Sequence, residues 1–382
     1  MPEPPEDLLA LSQSLCNRIV DDISTNGPMP FDRYMAMALY EPGQGYYVNG
    51  LHKFGQAGDF VTAPEQGRIF ATALARQVDE VADQLGENWT LFELGAGSGT
   101  LARDLLQSLE GPPARYLILE PSAPLREVQA STLAGLPEGL RARVEWLNSP
   151  PNKPFDGVII ANEVMDALPV SRFESTENGL VELAVTVAED RFDWTLIAPN
   201  PRLQQAWQSI VNTLPQPLPV GYRSEICVDL PGWLDTVTRP LRRGLALMID
   251  YGYPRSEFYQ PERSDGTLVC HYRHRAHFDP FVWPGLTDLS TFVDFTAVAE
   301  AAVDCGLEVA GFTNQTGFLL SLGAHEVVEQ AEDDLTRLQL AGEFKRLTMP
   351  GEMGERFKVI GLTRDFDHEL SGFEMMGQLH RL

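Results

Sequence analysis

The sequence predicts an α/β protein built on an open, mostly parallel sheet with helices on both faces, and two observations carry that expectation. Short apolar runs of strand character alternate along the chain with longer stretches of helical periodicity, which calls for right-handed crossovers between parallel strands. One of those runs, Leu91-Phe92-Glu93-Leu94, passes directly into Gly95-Ala96-Gly97-Ser98-Gly99-Thr100 and then into Leu101, Leu105, Leu106 and Leu109 at helical spacing. The reading is strand, tight turn, helix, with glycine where the backbone must reverse or let a ligand press against it.

Strands are expected at 90–94, 116–120, 143–147, 157–161, 244–250, 307–313 and 356–363. Ahead of them, 8–40 reads as two helical pieces. The first carries the stripe Leu8, Leu11, Leu15, Ile19 and Ile23, and Gly27-Pro28-Met29-Pro30 separates it from the second. A loop rich in glycine and tyrosine follows at 41–47. In the next loop, Thr62 and Glu65 stand at capping-box spacing before a helix with Phe70, Leu74, Val78, Val81 and Leu85 on one face. The expected organisation is a helical cover region at 1–88, a core at 89–170 and 241–382, and an inserted subdomain at 171–240. The insertion has strand-like pieces at 180–187, 191–197 and 225–228 and a proline-rich break at 214–219. It is expected to serve as a substrate or dimerisation platform, so a homodimer is an open option.

At 382 residues the chain has material for two or three domains. Its formal net charge of −25 argues against nucleic acid and anionic membrane as main partners and favours encounter with a basic one. Cys16, Cys227, Cys270 and Cys305 are far apart and form no C-x-x-C pair, which argues against a disulfide framework or structural zinc site and suits a reducing compartment. No apolar run approaches the ~18 residues needed to span a bilayer. The acidic start, Met1 to Asp7, is unlike a targeting peptide, and a cytoplasmic location is expected.

The glycine spacing is G-x-G-x-G rather than the G-x-G-x-x-G of dinucleotide sites, and Glu93 lies two residues before the first glycine. That carboxylate would repel a pyrophosphate, which disfavours a nicotinamide dinucleotide, but would tolerate a zwitterion with an ammonium and a sulfonium such as S-adenosylmethionine. The run 116–120 ends in Glu120, where doubly wound folds offer a carboxylate to ribose hydroxyls. The fourth strand runs into Asn162-Glu163-Val164-Met165-Asp166-Ala167-Leu168-Pro169. Glu163 and Asp166 are three apart, so one helical turn would put both on one face to hold a cation or act as general base. The other reading has Asp166 capping a helix and Glu163 orienting the cofactor. The fifth strand ends in Asp250-Tyr251-Gly252-Tyr253, and a long loop after it holds His271, His274 and His277. Arginines interleave these histidines and oppose a cation, so no metal is expected and the loop is read as a contact for substrate or partner.

Taken together these stretches resemble the S-adenosylmethionine-dependent methyltransferases and, within them, the MidA family, whose mitochondrial members are complex I assembly arginine methyltransferases. The resemblance rests on Gly58-Asp59-Phe60-Val61-Thr62-Ala63-Pro64-Glu65, the glycine turn, 116–120, 161–169, Ile249-Asp250-Tyr251-Gly252 and Asp288-Leu289-Ser290-Thr291-Phe292-Val293-Asp294-Phe295. It implies a Rossmann-like class I methyltransferase core and S-adenosyl-L-methionine as cofactor. It places Gly95, Gly97 and Gly99 on that cofactor with Glu93 beside them and Glu120 on the ribose, and Gly58, Asp59, Phe60, Thr62 and Asn162 completing the pocket. With Asn162, Glu163 would complete that pocket, and the resemblance further implies methyl transfer to an exposed arginine of a protein acceptor, a respiratory complex I-type subunit among the candidates. Two nearby carboxylates can localise a guanidinium charge, and that catalytic task is assigned to Glu163 and Asp166. A small-molecule or O-methyltransferase, and a cofactor-binding assembly factor without turnover, stay open as alternatives.

Overall fold

Seven runs with the strand signature form strands in the computed structural model, which describes residues 1–51 and 62–382. They lie at Thr90–Leu94, Arg115–Leu119, Val144–Leu147, Phe155–Asn162, Leu241–Tyr253, Glu308–Asn314 and Phe357–Arg364. Successive side chains point to opposite faces of a sheet, so alternation sends Leu91, Val158, Ile160, Leu247 and Ile249 into one core. It sends Phe92, Ile159, Ala161, Ala246 and Met248 into the other. Ile69–Leu85 and Thr100–Ser108 close the first core through Phe70, Leu74, Val78, Leu101 and Leu105. Leu230–Thr238 and Phe295–Asp304 close the second through Leu234, Val237, Val298 and Ala301. Burial on both faces is why these strands read as continuous apolar runs.

In space the strands follow one another in the order 308–314, 357–364, 241–253, 155–162, 90–94, 115–119, 144–147, and Val293–Asp294 adds to the end of Leu241–Tyr253. Pairing is parallel except at Phe357–Arg364, which is antiparallel to both neighbours. The exception has a simple cause: the helices of 315–348 return the chain to the end of the sheet it had just left. The order reverses between Thr90–Leu94 and Phe155–Asn162. Loops leaving the carboxyl ends of these two strands diverge and open a crevice, the usual ligand position in open α/β sheets.

A second, antiparallel sheet comprises Ser171–Thr176, Gly179–Ala188, Arg191–Ile197 and Arg223–Ile226. The two-residue strand Met29–Pro30 joins it, pairing with Val185 and Ala184. The helices Glu6–Asn26 and Phe31–Tyr40 pack on this sheet, with the Phe31 ring 5.0 Å from that of Trp194. Residues of the expected cover region and of the expected insertion thus share one sheet and one core.

Two local expectations are corrected. Thr62 makes no capping bond; Ala63–Gln66 forms a 3-10 turn, and the helix begins beyond Gly67, at Ile69. Glu65 instead accepts a hydrogen bond from the Ser98 hydroxyl of the glycine turn. The histidine segment is a β-hairpin rather than a loop, with Val269–Tyr272 pairing with both Arg275–His277 and Asp288–Ser290. Among the described residues, no helix is long and apolar enough to cross a membrane.

Candidate functional site

At the reversal of strand order lies a cavity of about 890 Å³, lined by the glycine turn, the 162–168 loop, Tyr40, Tyr47 and the hairpin. Its first wall is backbone. Gly95, Gly97 and Gly99 all take positive φ (63°, 53° and 84°), where other residues are strained. Gly95 and Gly97 face the cavity, and a Cβ on Gly95 would stand 3.3 Å from Cγ2 of Val164 in the opposite loop. Gly99 does not line the cavity, a departure from the expectation that all three glycines touch the ligand. It lets the helix Ala123–Leu133 approach, since a Cβ there would lie 3.1 Å from the Gln129 Cα.

Gln129 is a residue the sequence did not point to. Its fully buried amide donates to the Gly97 carbonyl at 3.0 Å and to Glu120 Oε2 at 3.1 Å, and its Oε1 accepts from the Trp146 indole at 2.9 Å. Glu120 also accepts the Ser122 N–H at 2.9 Å, so its carboxylate is fixed against the glycine turn at the cavity edge. The Ser122 hydroxyl beside it is buried and has no partner among the described residues. Glu93 lines the same wall but is tied back by the Tyr116 hydroxyl at 2.8 Å, and burial raises its pKa to about 7. Thr62 and Asn162 also face the cavity. Gly58, Asp59 and Phe60 lie outside the described residues.

The second wall is acidic. At the end of Phe155–Asn162 the chain turns left-handed at Glu163 (φ 55°) and makes a 3-10 turn at Met165–Ala167. The helical turn expected to align Glu163 and Asp166 does not form. Both carboxylates nevertheless line the cavity, because Asp250 holds the loop between them. Asp250 Oδ2 accepts the N–H groups of Val164, Met165 and Asp166 at 3.2, 2.9 and 3.2 Å, and its Oδ1 accepts that of Tyr251 at 2.9 Å. Glu163 Oε1 accepts from the Ala63 N–H and the Asn162 amide, both at 3.3 Å. Asp166 accepts from the Tyr251 hydroxyl through Oδ2, while its buried Oδ1 has no partner among the described residues. Burial, and then the Asp166 charge, raise the Glu163 pKa to about 8; burial raises that of Asp166, with the Tyr251 bond opposing.

Three further groups complete this wall. Tyr40 donates to the Ala167 carbonyl at 2.7 Å and stacks on Tyr47 with ring centroids 5.6 Å apart. Burial, and then the fields of Asp166 and Asp288, push both phenols well above their ordinary pKa. Asp288 faces the cavity from the hairpin's third strand and accepts from Ser290 at 2.6 Å. The tyrosine loop and the 288–295 stretch are recognisable motifs, but nothing in their spacing aims them at 163–167. Of the three histidines only His271 lines the cavity. It is paired with Ala276, while His277 is paired with Cys270, so the two imidazoles leave opposite faces of the hairpin. Among the described residues no group of three or more His, Cys, Asp or Glu is placed to hold a metal ion.

Residues 73–313 match a family described as S-adenosyl-L-methionine-dependent methyltransferases. The chain belongs to that family. A protein arginine methyltransferase NDUFAF7 homolog, mitochondrial, of Drosophila melanogaster is 30% identical over 91% of the chain and 84% of its own length. The mitochondrial protein arginine methyltransferase NDUFAF7 of Danio rerio is 28% identical over 91% and 86%. A solved methyl transferase-like structure from Burkholderia thailandensis, bound to S-adenosyl-homocysteine, is 39% identical and superposes over 100% of both chains with a TM-score of 0.94. These matches bear out the resemblance to the MidA methyltransferases, the Rossmann-like fold and the cofactor. They overturn one expectation: the curated relatives are named as mitochondrial proteins, which points away from the cytoplasmic location read from the acidic N-terminus.

The cofactor is S-adenosyl-L-methionine, and the residues present fit it. The cavity offers a glycine surface without side chains, an oriented carboxylate at Glu120 and a spare hydroxyl at Ser122, and it carries acids where a sulfonium needs them. Bound there, the cofactor supplies an electrophilic methyl group.

Proposed function

We propose that this methyltransferase acts on an arginine side chain of a protein acceptor. Gly95, Gly97, Glu120, Ser122, Asn162 and Thr62 hold the cofactor, and Glu163 and Asp166 receive the guanidinium. The observation that carries the reading is the pair of cavity-facing carboxylates with raised pKa values, Glu163 half-buried and Asp166 buried with an orphaned oxygen. Burying such groups is costly unless a cation joins them. A guanidinium is always charged and presents a fork of donors that carboxylates match. The names of the relatives, protein arginine methyltransferases, favour the same substrate class.

In this reading the residues have separable roles. Asp250 fixes the loop, so Asp166 and Glu163 are presented without rearrangement, and positioning of this kind supplies much of the rate in a displacement. The acceptor nitrogen must release a proton as it takes up the methyl group. A carboxylate whose proton affinity is raised by burial, once ionised beside the guanidinium, suits that task. A small-molecule methyltransferase would be expected to close an apolar pocket over its substrate, whereas this wall is acidic. Incubating the protein with methyl-labelled cofactor and a lysate tests the reading. Label on an arginine of a protein, located by mass spectrometry, is the expected result. Label confined to small molecules, or to a residue other than arginine, would overturn it.

A further inference from the structure

The opposite end of the cavity reverses its charge. Tyr253 has two cations close to it, with the Arg263 guanidinium 4.3 Å and the Lys358 ammonium 5.7 Å from its ring centroid. Arg356 lines the same cavity two residues before Lys358, and its carbonyl accepts the Gly252 N–H at 3.2 Å. Among the described residues none of these three makes an ion pair with a carboxylate. Nearby arginines do: Arg255 pairs with Asp294 and Glu300, and Arg381 with Glu257. Arg263 Nε is buried without a partner, and the guanidinium reaches only the Glu257 carbonyl, at 3.4 Å. Lys358 is buried with only the Glu355 carbonyl as acceptor, and burial lowers its pKa to about 8. The Glu257 and Glu355 charges act on Lys358 from a distance, but in a chain of net charge −25 three neighbouring cations without an ion pair point to a ligand that brings its own carboxylate.

We propose that Arg263 and Arg356, with Lys358 close to Tyr253, form a subsite for a carboxylate side chain of the acceptor protein, a few residues from the methylated arginine. This rests on the arginine reading above and narrows its substrate class. The two ends are joined by a row of aromatic rings. Tyr251, bonded to Asp166, meets Phe292 at 5.1 Å, and Phe292 stacks on Tyr253 at 5.5 Å. That row runs from the acids to Arg263, so an acceptor segment laid along it spans a few extended residues at roughly 3.3 Å each. An acceptor segment lying along the rings would place its arginine on Asp166 and its acid on the arginines. Like charges at either end would be repelled, which fixes the direction of the chain.

The test uses the full-length protein loaded with S-adenosyl-homocysteine and fluorescein-labelled nonapeptides of glycine with one arginine. Each also carries a glutamate, or glutamine in its place, two, three or four residues to either side. At one spacing the glutamate peptide should bind about tenfold tighter by anisotropy, the scale of one charge-assisted contact. R356Q, at an exposed position, and R263Q should each erase most of that ratio while leaving the affinity for S-adenosyl-homocysteine within about threefold. Equal binding of glutamate and glutamine peptides at every spacing overturns the subsite, as does a ratio that survives in both variants. Loss of S-adenosyl-homocysteine affinity in R356Q also overturns it, by assigning these cations to the cofactor's own carboxylate. A further peptide, with the arginine replaced by glutamine, separates the two claims. If its affinity is undiminished, the arginine reading fails, while a surviving glutamate preference keeps the anion subsite.

Discussion

The two walls of the cavity are built in different ways. The cofactor wall is largely backbone: one strand, one turn and one helix, contiguous from Leu91 to Leu109, with Glu120 just past the end of the next strand. The acidic wall gathers Tyr40 and Tyr47 from the N-terminal layer, Glu163 and Asp166 from one loop, Tyr251 from another strand and Asp288 from the hairpin. A backbone wall serves a ligand common to a whole family. A wall of side chains from distant segments can be altered piece by piece, which is what choice of acceptor requires.

If this division is right, substitutions on one wall should spare the other. The largest effect is expected for Asp166→Asn: turnover falling roughly 1,000-fold, with affinity for S-adenosyl-homocysteine changed less than about threefold, measured by single-turnover kinetics and calorimetry. Comparable loss of both would merge the two walls into one. Glu120→Ala should do the reverse, weakening S-adenosyl-homocysteine roughly 30- to 100-fold because a fixed carboxylate and its two donors lose their arrangement.

Glu163 sits at the boundary, and Glu163→Gln sharpens the comparison. Unchanged cofactor affinity with turnover down about 100-fold places it on the acceptor side; lost affinity moves it to the cofactor. Its effect on stability has a definite sign. The folded pKa, about 8, lies above the unfolded value of 4.5, so the contribution is fully present below pH 4.5 and is lost as pH rises through 8. The glutamine variant should therefore gain on the wild type with pH, melting about 2 °C or more higher at pH 9 than the difference seen at pH 5. The smallest effect is expected for Gly99→Ala. Positive φ and the contact with Gln129 should lower Tm by about 2–4 °C and weaken S-adenosyl-homocysteine less than Glu120→Ala does.

The same contrast explains what could be read from the amino-acid order. Strands such as Phe155–Asn162 announce themselves because both faces are apolar, and the turn after Leu94 because glycines recur where φ must be positive. Gln129 leaves no such trace, since its bonds depend on where a helix lands. The hairpin 269–277 was obscure for a different reason. Its strands are four and three residues long, and Arg273 and His274 take positive φ at its turn, where glycine or asparagine is the usual sign. The proximity of Glu163 and Asp166 was foreseen, but its cause was not. Three N–H bonds from the loop to Asp250 do the work that a helix was expected to do.

The pairing of Met29 and Pro30 with Val185 and Ala184 has a consequence for synthesis. A nascent chain exposes Phe31, Tyr34 and Met35, all wholly buried at the end, long before the ribosome delivers the strand they pack against. Until then Tyr40 and Tyr47 have no fixed address, and the tyrosine side of the acidic wall cannot form.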